Sequence, residues 1–574
     1  EQYFYLDDFS LVMTEGTIPE DEKENPIRLN QIGYRPGDGK VAFVISDERT
    51  FRLYTEDDKL VLTGNLSLYS KDKDGNPVVD ASSGDITRAA DFSSFAHDGN
   101  YYVKVRNDVS PVFGIADNVY DEVTKAVLKL FYYQRSGELE EEYVGKLFAR
   151  EAGHTQKASY YDPEDPVYGE VEIDVHGGWY DAGDYGRYIT PASKAVADLM
   201  MTAEHFPGTQ EIDFGGPERL LGEIKYELEW MLKMQNPETG GVYHKVTTQY
   251  HSPMTILPHE DVDPLYLSPV SAQATGDFAA SMAYAYRMYK HFDEEFAEQC
   301  LEAAIFAWEW LEENPTTNSY VDPSFFHTGS YNDISASDER YWAAAELYKS
   351  TGDEKYLEYM TDNYLPKSGF GWIDMGSYAH VAILTNDLID EDSELYQKAK
   401  KAFINNAQDI LKIWEKDGYK VALSYYVWGS NKDLADRTMM LIFADMIEPD
   451  ARYKEAVLDQ IHYFLGRNAN DISYVTGYGE KSAQNPHHRP SAVLETTVPG
   501  MLVGGPNDEI VNELGDPVSQ MVDENTPPAK RYADITGSYA TNEICIYWNS
   551  PLAYVLGYVY QLEYAKVHPL TIVQ

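Results

Sequence analysis

Asp181 and Asp184 stand three residues apart in Gly177-Gly178-Trp179-Tyr180-Asp181-Ala182-Gly183-Asp184-Tyr185-Gly186-Arg187-Tyr188. Four glycines and this aromatic density suit neither a helix interior nor an alternating strand, so the stretch reads as a loop. Glycines let its backbone turn tightly and approach a second molecule, and the aromatic rings offer flat faces on which another ring can lie. Such a loop can present two carboxylates to a substrate. It can equally be a turn whose aspartates bond their own backbone. A second group of candidate residues lies near the far end of the chain. There Ser473-Tyr474-Val475-Thr476-Gly477-Tyr478-Gly479 precedes Asn485-Pro486-His487-His488-Arg489, and Tyr532-Ala533-Asp534 leads to Tyr539, Glu543 and Tyr547-Trp548-Asn549-Ser550.

The rest of the chain must position these two ends. Its 574 residues, 43% hydrophobic and 25% charged, can bury a large core with a smaller one beside it. Residues 1–25 are acidic and read as a poorly ordered arm. Over 26–116, runs such as Val41-Ala42-Phe43-Val44-Ile45 and Tyr101-Tyr102-Val103-Lys104-Val105 alternate with turn residues, which predicts a small β-sandwich. Over 117–574 the period becomes helical. Pro217 opens a segment with Leu220, Ile224, Leu228 and Met231 on one face, and Ser393 can cap another with Ala399, Phe403, Ala407, Ile410 and Trp414 in register. About a dozen such segments predict six helical hairpins closed into a ring, or an irregular bundle. Long loops at 166–190, 236–273, 316–337, 466–500 and 522–548 hold the unusual chemistry.

The charge balance restricts what can bind. With 46 Lys+Arg against 95 Asp+Glu the net charge is −49, which repels nucleic acid and anionic membranes but does not penalise neutral ligands such as sugars. The two cysteines, Cys300 and Cys545, allow neither a disulfide framework nor a cysteine-rich metal site. No apolar run approaches the ~18 residues of a membrane helix, and the opening Glu1-Gln2 is what a processed, exported chain would show.

Taken together, the motifs resemble those of the family 9 glycoside hydrolases, the inverting cellulase family. The family's histidine motif runs through Ser473, Val475, Thr476, Gly479, Lys481, Pro486, His487 and Arg489, and its carboxylate motif through Tyr532, Asp534, Tyr539, Glu543, Asn549 and Ser550. Cys545 departs from it, standing where a Ser, Thr or Ala is usual. The opening Leu29-Asn30-Gln31-Ile32-Gly33-Tyr34 resembles the branch that carries an immunoglobulin-like domain ahead of the barrel. The resemblance implies an (α/α)6 barrel in a mainly α chain, with Asp184 as general base, Asp181 helping to hold the water, and Glu543 as general acid. Inversion needs such a pair about 6.5–9.5 Å apart. It further implies sugar binding by His487, Arg489, Asp534 and Tyr185, and stacking on Trp372, Trp428 and Trp548, each of which could instead be core.

The implied activity is hydrolysis of β-1,4-glucan, endo-acting, by a secreted, cell-surface or periplasmic monomer without a catalytic cofactor. Cellobiohydrolases, xyloglucan-active glucanases and exo-glucosaminidases of the same family stay open, as does a non-catalytic sugar-binding module, though no carboxylate is lost. Zinc is expected to be absent, since Glu151-Ala152-Gly153-His154 lacks the cysteine common in this branch and Ser136 occupies another cysteine position. Asp338-Glu339, with Asp333 and Asp374, resembles the family's calcium loop; acids favoured at a helix start are the alternative. A metal site at His487-His488 is disfavoured because adjacent side chains diverge.

Overall fold

Strands of two to nine residues carry the chain from Ile27 to Ile115. The computed structural model describes residues 25–161, 172–366 and 369–567, so all but the last residue of the acidic arm lies outside the described residues. In Thr50–Thr55, Phe51 and Leu53 point inward while Thr50 and Arg52 are exposed, the period-two pattern of a strand with one wet face. Leu60–Leu68 pairs first with Thr50–Thr55 and then, through Leu66–Leu68, with Arg88–Asp91, joining the two faces of the sandwich. The faces close on Leu29, Tyr34, Phe51, Phe92, Val103 and Phe113. Each large apolar side chain buried this way contributes roughly 1.5–3 kcal/mol relative to exposure.

Helices then alternate between an inner and an outer ring. The inner ring runs Ile189–His205, Ala272–Tyr289, Ser337–Thr351, Gly376–Leu384, Ser430–Ile447 and Ile546–Val567, and the last packs on the first to close it. Backing them are Leu220–Lys233, Glu294–Glu313, Glu354–Asp362, Glu394–Trp414, Ala451–Phe464 and, against the last inner helix, Asp121–Gln134. Twelve helices in this order make the (α/α)6 barrel. Inner and outer helices differ as burial requires: all residues from Ile189 to Ala203 are buried, whereas Glu394–Trp414 buries one stripe, Leu395, Ala399, Phe403, Ala407, Ile410, Leu411 and Trp414. Ser393 caps the latter, its hydroxyl accepting from the Tyr396 N–H at 3.3 Å. Pro217 does not lie in the first turn of its helix; that helix begins at Leu220 after extended Arg219.

Sequence periodicity also missed a five-stranded sheet in the barrel loops, formed by Ala158–Tyr160, Glu172–Ile173, Arg187–Tyr188, Lys245–Thr247 and Leu265–Leu267. Runs of two or three residues are too short to show a period.

The sandwich is fastened to the loops at one end of the barrel. The Gln31 N–H donates to the Leu465 carbonyl (2.8 Å), its Oε1 accepts from the Lys481 N–H (2.8 Å), and Asn30 meets His462 Nδ1 at 3.0 Å. Further round, Asp80 accepts from the Gly418 N–H (2.9 Å), and Asp85 accepts from Tyr419 Oη (2.8 Å) and Lys530 Nζ (2.7 Å). Loops 465–484, 417–428 and 526–531 are therefore held against the sandwich.

Candidate active site

The aspartate loop is fixed from beneath. Gln134 Nε2 donates to the carbonyls of Tyr180 (3.1 Å) and Ala182 (2.9 Å), the Trp179 N–H donates to Glu227 (2.5 Å), and Arg187 donates to the carbonyls of Val175 and Gly177. Gly183 is required by close approach: a Cβ there would lie 1.9 Å from the His487 carbonyl oxygen. That approach joins the three motifs. The Arg489 N–H and Nη1 donate to the Gly183 carbonyl (3.1 and 2.7 Å), and isolated β-bridges pair Ala182 with Cys545 and His487 with Glu543. The Ile546 N–H donates to the Asp181 carbonyl at 2.7 Å. Residues some 300 to 360 positions apart thus share one backbone scaffold.

Around this scaffold opens a cavity of about 710 Å3 lined by Asp181, Asp184, Glu543, His487, Arg489, Trp372, Trp428 and Trp548, together with Tyr188, His251, Tyr331, Tyr539, Cys545 and Tyr547. Asp184 accepts from the Gly186 N–H and from Tyr188 Oη, both at 3.1 Å, and from His251 Nδ1 at 3.3 Å. Burial alone would raise its carboxyl, but His251, the Arg489 charge and the Gly186 N–H outweigh that and hold it well below the usual carboxylate range. Asp181, three residues away, moves the other way. Burial and the charge of Asp184 push it up to about 8, even though Tyr331 Oη donates to Oδ2 and Cys545 Sγ to Oδ1. Burial, then Asp184 and Asp181, raise Glu543 well above the ordinary range. One ionised carboxylate and a protonated one facing a common cavity is the division of labour that acid–base catalysis needs.

His487 Nδ1 donates to the Thr536 carbonyl at 2.8 Å, which leaves the imidazole lone pair on Nε2. His488 turns away into the core, bonded to Ser491 and Gln134, so the adjacent histidines diverge. Two expected sugar-binding residues lie outside the cavity lining. Tyr185 packs on Tyr180 and His154, and its hydroxyl donates to the Ile256 carbonyl at 2.8 Å. Asp534 accepts from the Gln484 and Asn485 N–H groups (2.7 and 2.8 Å) and from Asn542 Nδ2 (3.0 Å), tying the histidine motif to the residue before Glu543. Sequence reasoning missed His251 and Tyr331. Both lie in long loops, where a single residue without a spacing pattern gives no signal of its own.

Asp338 and Glu339 begin an inner helix, with Asp338 accepting from the Met375 N–H at 2.7 Å. Asp333 and Asp374 accept from the N–H groups of Ser335 and Gly376. Among the described residues no three His, Cys, Asp or Glu side chains form a metal cage by themselves. Yet both oxygens of Glu339, both of the unexpected Asp277, and Oδ2 of Asp333 are buried without a hydrogen bond of regular geometry, Asp277 neighbouring Thr190 and Asp333 neighbouring Glu339.

Comparison with known proteins agrees with the geometry. Residues 120–556 match "Glycosyl hydrolase family 9" and residues 22–110 match "Cellulase N-terminal ig-like domain". The chain is 33% identical to a cellodextrinase of Butyrivibrio fibrisolvens over 92% of its own length and 99% of that protein's. It is also 33% identical to endoglucanase D of Acetivibrio thermocellus, over 93% and 83% of the two chains. The crystal structure of a single mutant of a thermostable endoglucanase from Alicyclobacillus acidocaldarius superposes with a TM-score of 0.84 at 30% identity, covering 93% of this chain and 99% of that one. This chain belongs to glycosyl hydrolase family 9.

Proposed function

We propose that this enzyme hydrolyses β-1,4-linked glucan with inversion, cutting within the chain. The observation that carries the reading is two carboxyl groups on one cavity in opposed surroundings: Asp184, bonded by the Gly186 N–H, Tyr188 and His251, is held well below the usual range, and Glu543 is raised well above it by burial and the charge of Asp184. Asp184 takes a proton from water as its oxygen forms the new bond to C1, the C1–O bond breaks, and Glu543 gives its proton to the departing oxygen. Asp181 sits beside Asp184 and holds the same water, while Arg489 and His487 meet sugar hydroxyls. Trp372, Trp428 and Trp548 offer ring faces to the pyranoses. The similarity to a cellodextrinase favours a second reading, in which short oligosaccharides are the substrate. Product profiles on cellulose, mixed-linkage glucan, xyloglucan and chitosan oligomers separate them. A ladder of products from a polymer is expected, and a single short product released only from oligosaccharides would select the second reading.

A structural Ca2+ belongs to the same proposal. Buried carboxylate oxygens without partners are costly, and a hard cation that also draws on carbonyl and hydroxyl oxygens would satisfy those of Asp277, Asp333 and Glu339, with Asp338 and Asp374 close by. That these carboxylates form no cage unaided does not weigh against it, because Ca2+ accepts six to eight mixed oxygen ligands. The ion would stabilise the helix start behind the cavity and take no part in proton transfer.

A further inference from the structure

Asp181 is gripped from two sides. Tyr331 Oη donates to Oδ2, and the Cys545 thiol reaches Oδ1 with an S···O distance of 3.3 Å. The second contact is built by the backbone. Cys545 is bridged to Ala182, the next residue's N–H donates to the Asp181 carbonyl at 2.7 Å, and the Cys545 carbonyl accepts the first helical bonds of Ile546–Val567 through the Trp548 and Asn549 N–H groups, both at 3.1 Å. These bonds fix the Cys545 backbone beside the aspartate loop, so that its thiol lies within reach of Asp181 Oδ1. It also lines the cavity, although only 2% exposed.

We propose that Cys545 is a positioning residue for the hydrolytic water: its S–H proton anchors Oδ1 of Asp181, opposite the Tyr331 phenol, and so fixes how that carboxyl faces the water beside Asp184. The inference rests on the reading of Asp184 and Glu543 as base and acid. Burial and the neighbouring Asp181 hold the thiol well above its usual pKa, so it is a donor and not a nucleophile. It is also a weak donor, which a hydroxyl at the same place would surpass and a methyl group would not replace. The titratable groups around Asp181 are Asp184 on its own loop, Glu227 on the helix beneath and Glu543 on the facing segment, with the phenols of Tyr188, Tyr331 and Tyr547 about them; burial raises Glu227 and Glu543 well above the ordinary range and leaves Asp184 as the charged neighbour. None of these changes in a Cys545 variant. A displaced pH limb in such a variant would therefore report on the thiol contact.

The experiment compares Cys545→Ala and Cys545→Ser in the full chain by kcat, KM and the pH profile of kcat/KM on a soluble β-glucan, with melting curves to confirm folding. Removing a donor to the charged form of Asp181 raises its pKa, and strengthening that donor lowers it. Cys545→Ala should lose roughly three- to tenfold in kcat at unchanged KM, with the limb that follows ionisation of Asp181 moved to higher pH. Cys545→Ser should recover most of that rate, with the limb moved to lower pH. A Cys545→Ala enzyme with wild-type rate and profile overturns the inference, as do two variants that lose rate alike with the limb in place, the mark of packing alone. If Cys545→Ala does not fold, the direction of the limb in Cys545→Ser decides. Asp184→Asn and Glu543→Gln run alongside as controls: activity surviving in either overturns the underlying acid–base reading, whereas their inactivation with a neutral Cys545→Ala overturns only the role of the thiol.

Discussion

Asp181 and Asp184 are the same side chain three positions apart, and the cavity drives their proton affinities in opposite directions. The difference lies in their partners. Asp184 faces His251, Arg489 and a backbone N–H, whereas Asp181 has only neutral donors and the charge of Asp184 itself. Asp184→Asn and Glu543→Gln should each lower kcat on polymeric glucan by roughly 10²–10⁴-fold while leaving ligand binding in place, because each swap keeps shape and removes proton transfer. On an aryl glycoside with a good leaving group Glu543→Gln should recover and Asp184→Asn should not; equal recovery would reverse the two roles. Asp181 has a consequence for stability as well. Its folded pKa is raised from 3.8 to about 8, so its contribution is fully present below pH 3.8 and is lost as pH rises towards 8, where a buried charge must be carried. Asp181→Asn should therefore lose activity yet gain in Tm over the wild type as the buffer goes from pH 5 to pH 8. A Tm difference independent of pH would show that Asp181 ionises normally.

At the scale of elements, the sandwich acts on the cavity through loops and not by contributing residues to it. Asp85 holds Tyr419 and Lys530, and the segments bearing them clamp Asp508, whose backbone and carboxylate bond Tyr426 two residues before Trp428. Asp85→Ala should lower Tm, at about 1.5–3 kcal/mol per charged hydrogen bond lost, and raise KM more than it lowers kcat. A changed kcat at constant KM would place the effect on the carboxylates instead. The inner helix at Ser337–Thr351 supplies a second test. Adding Ca2+ to chelated protein should raise Tm, since an ion at a hundred times its Kd contributes about 2.7 kcal/mol, with little change in kcat. No shift in Tm on chelation, with no tightly held calcium in the purified protein, would mean that Asp277, Asp333 and Glu339 are satisfied by shared protons. The long helices were legible beforehand because each buries one stripe or a whole cylinder, and Ser393 signalled its cap. The short strands of the loop sheet were not, since their pairing partners lie far off in sequence and their length leaves no pattern.

Over the whole molecule, the barrel brings together three motifs spread over more than 350 residues, and the acids, His487, Arg489 and the three tryptophans that the family resemblance singled out line one cavity. What the motifs could not convey is the far wall. His251 and Tyr331 reach the aspartates from loops whose path depends on tertiary contacts, and Tyr185 and Asp534 are bonded to the scaffold outside the cavity lining. In the proposed mechanism water, activated by Asp184, attacks from the face opposite a leaving oxygen protonated by Glu543. Proton NMR of the first product released from a β-1,4-glucan oligosaccharide, recorded before mutarotation, tests it most directly. Inversion gives the α-anomer first; an initial β-anomer would mean a covalent intermediate with a carboxylate nucleophile, and would contradict the roles of Asp184 and Glu543.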